Sequence, residues 1–263
     1  MQLPATWSAS AAGYAQEVTP HAELYARRAL EIVPLRPTDR VLDVAAGPGP
    51  LTFAAARSAA HVVAVDFAEG MVEQVRVRAQ REGVGNVEAV VMDAQSLALP
   101  DASFDAAFCM FGFMFFPDRE RAFRELHRVL RPGGRALVAT WAPIERRPMM
   151  KIGFESLAEA IPQLPPMTKG DLQQPDECIR EMSGGGFRDV SAQPFTAAMR
   201  VDSAEHYLRV MERAGAPFVA LRKKLGAEAW AQAEVRLLAA VRRRIPDGGV
   251  DLAAEAILTM GIR

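Results

Sequence analysis

Two acids at the ends of short apolar runs, Asp43 and Asp66, are the residues of this chain whose types and spacing best suit ligand chemistry. Arg40-Val41-Leu42-Asp43-Val44 runs into Ala45-Ala46-Gly47-Pro48-Gly49 and then into Leu51-Thr52-Phe53-Ala54-Ala55-Ala56. This pattern reads as strand, tight turn and helix. Gly47 and Gly49 lack a Cβ, so a ligand can approach their backbone and a positive φ costs little. The helix behind them offers unpaired N–H groups and the positive end of its dipole. His61-Val62-Val63-Ala64-Val65-Asp66 is a second apolar run ending in an acid. A carboxylate at the tip of the second strand of such a unit can accept the hydroxyl hydrogens of a ribose. The chemistry implied is nucleotide binding.

The frame of the loop narrows the nucleotide. A dinucleotide fingerprint reads G-x-G-x-x-G. Begun at Gly47 it ends on Thr52, and begun at Ala45 it ends on Pro50, so both frames fail. From the acid, Asp43-x-Ala45-x-Gly47-x-Gly49 resembles the D-x-G-x-G-x-G signature of class I S-adenosylmethionine-dependent methyltransferases, with alanine for the first glycine. Further runs follow in that family's order. Val87–Met92 precedes Asp93-Ala94, Ser103–Cys109 precedes an aromatic loop at 111–118, and Arg124–Gly134 is a helix stopped by Pro-Gly-Gly before the strand Arg135–Trp141. The ordered set is similar to the branch of the ubiquinone/menaquinone biosynthesis C-methyltransferases, closely over residues 38–142 and loosely elsewhere.

The resemblance implies a fold and a cofactor site. The fold is α/β, a Rossmann-like doubly wound seven-stranded sheet with helical lid insertions, and the cofactor is S-adenosylmethionine. Strands one to three lie on one side and four and five on the other, with the methionine end in the crevice between strands one and four. Asp66 would hold the ribose, and Asp93 with Ala94 the adenine amino group. Asp43 would orient the loop amides or a water near the ligand ammonium, or simply cap the turn. Phe67 and Met71 would pack against the purine or belong to the core. The backbone at Cys109 would lie beside the methionine, and nothing near that thiol in sequence would lower its pKa. Tyr14 matches a recurrent tyrosine of the family's N-terminal helices, and contacts either cofactor or solvent.

Composition sets outer bounds. The chain has 263 residues, half of them hydrophobic, which is enough for one full α/β core. No apolar run reaches the roughly 18 residues needed to span a bilayer. The first residues lack a basic region followed by an apolar stretch, so no signal peptide is expected and a cytoplasmic location is. Two cysteines make no disulfide framework. A net charge of −1 argues against an electrostatic nucleic-acid binder. The partner expected is a small-molecule acceptor, with no nucleic acid and no membrane; the oligomeric state is not legible.

The expected organisation is a single domain in four stretches. Residues 1–37 form an N-terminal helical lid that includes a helix over Ala22–Val33 with apolar Leu24, Ala29, Leu30 and Val33. Residues 38–142 are the cofactor-binding core. Residues 143–180 are a proline-rich lid insertion with one helix, Met149–Ala160. Residues 181–263 carry a sixth strand after Gly184-Gly185-Gly186, a helical insertion over 203–245 and a last strand over Val250–Ile262.

A sulfonium methyl is activated for in-line displacement, so the protein mainly aligns and desolvates the acceptor. A phenol, enol or carbanion acceptor also needs a base. Of four histidines, His61 opens a strand and His127 lies in a helix, which leaves His21 and His206, in the lid segments, as base candidates. The Met- and Phe-rich stretch Met110–Phe116 suggests an apolar acceptor pocket or ordinary core. No metal-ligand cluster appears. Transfer to a small apolar or aromatic acceptor therefore competes with two alternatives: a non-catalytic cofactor-binding relative and an NAD-dependent oxidoreductase.

Overall fold

The computed structural model describes residues 4–164 and 172–263, so Pro165 and Pro166 of the proline-rich stretch lie outside the described residues. Two helices lead, α1 (Pro4–Glu17) and α2 (Thr19–Ile32). The core then alternates β1 (Arg40–Val44), α3 (Pro50–Ala56), β2 (His61–Asp66), α4 (Glu69–Glu82), β3 (Val87–Val91), β4 (Phe104–Met110), α5 (Arg119–Val129) and β5 (Leu130–Trp141). After these come α6 (Pro148–Ala160), α7 (Pro175–Gly184), β6 (Arg188–Val201), α8 (Ala204–Ala214), α9 (Ala216–Leu225), α10 (Ala227–Arg242) and β7 (Val250–Ile262).

The sheet has seven strands in the order β3-β2-β1-β4-β5-β7-β6. The first five are parallel, while β7 runs antiparallel to both β5 and β6. The direction of winding reverses between β1 and β4, as expected, and their carboxyl ends open the crevice where open α/β sheets bind ligands. Strands buried on both faces read as continuous apolar runs; Val41, Leu42 and Val44 of β1 and Ala106 to Cys109 of β4 are all buried.

Three differences from the expected elements have physical causes. The second helix begins at Thr19, and its buried stripe is Ala22, Tyr25, Ala26 and Ala29, spaced at i, i+3, i+4 and i+7, whereas Leu24 is 38% exposed. Helix α5 starts earlier than expected, because the Asp118 side chain accepts the Arg121 amide at 2.9 Å as an N-cap, and it ends at Val129. The long β6 and β7 pair continuously out to Val201 and Val250, past Trp141, where β5 ends. That projecting ribbon supports a separate apolar cluster of α6, α8, α9 and α10 around Leu157, Tyr207, Phe218 and Trp230.

Helix α1 bridges this helical cluster and the nucleotide side of the sheet. It packs on α8 and α9 at one flank and on α4 at the other. Both contacts are close backbone approaches secured by glycine: a Cβ on Gly13 would collide with the main chain of Arg213, and one on Gly70 would lie 2.8 Å from the main chain of Ser8. Among the described residues no helix is long and apolar enough to cross a membrane.

Candidate cofactor and acceptor site

The loop between β1 and α3 adopts a run of left-handed conformations at Ala45 (φ 53°), Gly47 (φ 57°) and Gly49 (φ 85°). Alanine at the first of these carries a penalty of about 1–2 kcal/mol that glycine would avoid. Its methyl faces Gly112, where an added Cβ would stand 2.5 Å from the Cβ of Ala45 and 2.7 Å from Sγ of Cys109. The segment after β4 therefore butts directly against the glycine loop. Above Gly47, by contrast, an added Cβ would meet nothing within 4 Å. The loop leaves a backbone-lined space there.

Asp66 organises this loop. Its carboxylate accepts the Gly47 amide at 2.9 Å and the Ala68 amide at 2.9 Å. Burial raises its pKa, and these amide bonds oppose the shift. Asp43 is 1% exposed, and the Thr52 hydroxyl donates to its Oδ2 at 2.6 Å. Asp43 thus faces Thr52 at the start of α3, while the Gly47 amide goes to Asp66. Among the described residues the other oxygen of Asp43, Oδ1, is buried without a partner. Desolvation lifts the Asp43 carboxyl to about 7, with the neighbouring Asp66 charge adding to the rise. An unpartnered oxygen on a desolvated carboxyl calls for a cationic donor.

Tyr14 stands close enough to Asp66 to feel its charge: burial first, then that carboxylate, pushes the phenol up to about 12. Trp7 lies edge-on to Tyr14 at 6.3 Å and tilts against Phe115 at 5.6 Å. Met71 is buried among Ala11 and Ala68, in contact with α1 rather than open to a ligand, while Phe67 is 40% exposed. Asp93 holds the Gln95 amide at 2.9 Å and the Gln95 side chain at 3.1 Å, and Ala94 is buried beside it. Cys109 is buried, and desolvation pushes its thiol well above the ordinary range, which leaves it no nucleophile's character.

Beyond the crevice the ends of β4 and β5 carry an aromatic platform. Phe111 takes a left-handed conformation (φ 65°), rare for a bulky residue, and stacks on Trp141 at 3.9 Å. The Tyr25 ring meets both edge-on, at 5.3 and 5.4 Å, and its hydroxyl donates to the Ala254 carbonyl at 2.6 Å. His21 sits edge-on to Tyr25 at 5.1 Å, and its Nδ1 is buried without a partner among the described residues. Burial lowers the His21 pKa against a hydrogen bond to the Ala198 backbone, so the ring stays neutral. His206 is engaged in its own turn: its Nδ1 accepts the Asp202 amide at 3.1 Å and lies 3.2 Å from the Asp202 carboxylate, on the helical cluster. The sequence does not single out Tyr25 or Trp141, because a tyrosine on the buried stripe of a helix and a tryptophan ending a strand look like core, as Tyr25 is.

The acids, the open glycine loop and the free Asp43 oxygen fit a ligand that pairs an adenosine with an ammonium. A dinucleotide would instead bring its pyrophosphate to the loop, against the buried Asp43. Among the described residues no cluster of metal-ligating side chains occurs.

Comparison with known proteins agrees with that fit. A family model described as a methyltransferase domain matches residues 42–138. The chain is 37% identical over 125 residues to the ubiquinone/menaquinone biosynthesis C-methyltransferase of Hydrogenovibrio crunogenus, covering 46% of this chain and 49% of that protein. It is 33% identical over 181 residues to the protein of the same name in Brucella anthropi, covering 62% of this chain and 69% of that one. The chain thus spans about half the length of the first of these curated relatives and more of the second. Among solved structures, the YcgJ protein of Bacillus subtilis shares the fold with a TM-score of 0.58 and 22% identity, over 92% of this chain and 98% of that one.

Proposed function

The chain belongs to the class I S-adenosylmethionine-dependent methyltransferases, in the branch of the ubiquinone/menaquinone biosynthesis C-methyltransferases, and we propose that it transfers a methyl group to a small apolar or aromatic acceptor. Its cofactor is S-adenosylmethionine, whose sulfonium supplies a methyl open to in-line displacement. The observation that carries the proposal is the buried Oδ1 of Asp43, unpartnered among the described residues, on the strand that leads into the open Gly47 loop. Asp43 is the residue to pair with the ammonium, Asp66 to accept the ribose hydroxyls, and Asp93 with Ala94 to face the adenine. Tyr14 covers the adenosine end from α1, Phe67 offers its exposed ring to the purine, and the Cys109 backbone lines the methionine end. Residues 4–33 and the described parts of 143–180 serve as the lid.

The acceptor lies against Phe111 and Trp141, whose rings suit a planar partner and which the fully buried Tyr25 backs edge-on. His21 holds a neutral imidazole there with Nδ1 free, so it can take the proton of a phenol or enol as the new bond to carbon or oxygen forms. Water exclusion by the aromatic platform strengthens that hydrogen bond and keeps the nucleophile desolvated. A binding-only relative would share the cofactor residues but have no use for an unpartnered His21 beside the acceptor platform.

Calorimetry with S-adenosylhomocysteine and with NAD, followed by phenolic and quinone-like acceptors with methyl-labelled cofactor, tests this function. Binding of S-adenosylhomocysteine and label transfer to an aromatic acceptor are expected. Tight NAD binding with no heat from S-adenosylhomocysteine would overturn it.

A further inference from the structure

Arg147 is a half-buried cation without a hydrogen-bond or ion-pair partner among the described residues. It follows the end of β5 by six residues, in the turn that leads to α6, and its backbone is fixed on both sides. Its amide donates to the Ile144 carbonyl at 3.0 Å, its carbonyl accepts the Lys151 amide at 3.0 Å, and Pro148 follows as the first residue of the helix. The guanidinium has no comparable anchor. Nε is buried and has no partner among the described residues, and desolvation lowers the group's pKa, with only the Glu145 charge opposing. Its neighbour Arg146 takes the nearby acid, Glu255, at 2.6 Å. Lys151 is paired with Glu155 at 3.8 Å. Arg147 is thus left over on the rim where Trp141 ends β5.

A half-buried guanidinium without a carboxylate is costly to keep, since desolvation of a charge is offset only by a paired, hydrogen-bonded partner. The orphaned atom also indicates the shape of that partner. Nε together with one Nη forms the side-on fork of arginine, which matches the two oxygens of a carboxylate in parallel hydrogen bonds. The same end of the sheet holds the Phe111–Trp141 stack and the His21 Nδ1, which is unpartnered among the described residues. Trp141 and the 142–147 turn are joined to the same stretch of β7, through the Trp141–Ala256 register, the Ala142 amide on the Glu255 carbonyl at 3.1 Å and the Arg146–Glu255 pair. The Tyr25 hydroxyl reaches that stretch at Ala254.

We infer that the acceptor is an aromatic acid, its ring on the Phe111–Trp141 platform and its carboxylate in the side-on fork of Arg147. This rests on the methyltransferase reading above and adds to it the charge of the acceptor. Arg147 touches the acceptor but not the transferred methyl, so it is a binding and specificity residue. A carboxylate there would also balance the positive sulfonium across the pocket.

The test uses the full chain loaded with S-adenosylhomocysteine and two probes of the same ring, 2-naphthoate and the neutral 2-naphthalenemethanol, followed by tryptophan fluorescence near neutral pH. The wild-type protein should bind the carboxylate about tenfold or more tighter than the alcohol. Arg147→Met should abolish that preference and leave the alcohol and S-adenosylhomocysteine affinities unchanged. Arg147→Lys, which keeps the charge without the fork, should retain part of it and guards against a folding defect in the methionine variant. No preference for 2-naphthoate in the wild-type protein, or a preference that survives in Arg147→Met, overturns the inference. Calorimetry on the same samples separates the two levels: absent S-adenosylhomocysteine binding would remove the methyltransferase reading itself, whereas normal binding without the carboxylate preference removes only the aromatic acid.

Discussion

The amide of Gly47 donates to the carboxylate of Asp66 at 2.9 Å, so the acid proposed to hold the ribose also fastens the glycine loop. An ionised carboxylate has about four acceptor positions. The amides of Gly47 and Ala68 use one oxygen each and leave acceptor capacity for the hydroxyls of a ribose. One side chain thus links the shape of the loop after β1 to the end of β2, and a loss of Asp66 is felt in both.

Asp66→Ala should therefore have two separable effects. Charge-assisted hydrogen bonds to the ribose are worth roughly 1.5–3 kcal/mol each, so affinity for S-adenosylhomocysteine should fall about tenfold or more. The Gly47 and Ala68 amides lose their acceptor as well, and Tm should drop by roughly 2–8 °C. Calorimetry and thermal melts check these. A lower Tm with unchanged affinity would leave Asp66 its structural task and move the ribose to another acid.

Gly47→Val should fold and fail to bind. Nothing lies within 4 Å of a Cβ at this position, so the added side chain enters the ligand's space and not the protein's. The cost to the fold is that of a β-branched residue at φ 57°, about 1–2 kcal/mol. Native circular dichroism with no calorimetric signal for S-adenosylhomocysteine is the expected pair of results. Normal binding would mean that the loop backbone does not face the cofactor.

Local sequence carries the parts of this site that lie on one short segment. Asp43, Gly47 and Asp66 are legible because a strand ending in an acid and a loop of small residues leave a pattern that a core strand has no reason to keep. The register of β7 against β5 and β6 was legible only as a last strand over Val250–Ile262, since apolar alternation does not identify the neighbour. The unpartnered atoms were not legible at all. Whether Asp43 Oδ1, His21 Nδ1 and Arg147 Nε find partners depends on Thr52, Ala198 and Glu255, and only the three-dimensional arrangement assigns those. Met71 shows the opposite limit: its place in the sequence suited a purine contact, but α1, well before it in the chain, covers it.

The titration of Asp43 gives a pH dependence with a definite sign. Its carboxyl moves from 3.8 to about 7 on folding because burial penalises the charged form. Between those values the folded chain holds a proton that the unfolded chain has released. Stability from this group is therefore complete below the unfolded value and is lost as pH rises through about 7, by on the order of 4 kcal/mol. Asp43→Asn, neutral and still able to accept from the Thr52 hydroxyl, should flatten that part of the stability curve and raise Tm above pH 7. It should also weaken S-adenosylhomocysteine, since the amide cannot pair with an ammonium as a carboxylate does. In the wild-type protein, binding at mildly acidic pH should expel the Asp43 proton, visible as a buffer-dependent heat that vanishes in the variant. A Tm profile identical in the two proteins would show that Asp43 is not the buried titrating group.

Helix α1 is predicted to act as a strap over the adenosine end. Its polar attachments lie at its two flanks: the Gly70 amide on the Ser8 hydroxyl at 3.2 Å, and Arg213, which pairs with Glu17 at 2.7 Å and also holds Gln16. Between them Trp7, Ala11 and Tyr14 pack on Ala68 and Met71, immediately beyond Asp66. A helix held by polar contacts at its flanks and a small apolar patch opens more readily than the sheet core, whereas a ligand beneath it adds contacts that only the closed state has. Amides of residues 4–17 should therefore exchange measurably slower when S-adenosylhomocysteine is bound. Gly13→Val, which forces α1 away from the Arg213 main chain without touching the glycine loop, should weaken binding and speed that exchange. Hydrogen exchange of both proteins, with and without S-adenosylhomocysteine, reads the slow opening directly. Protection confined to residues 43–93, with α1 exchanging equally in both states, would keep the cofactor residues in place and remove α1 from the binding event.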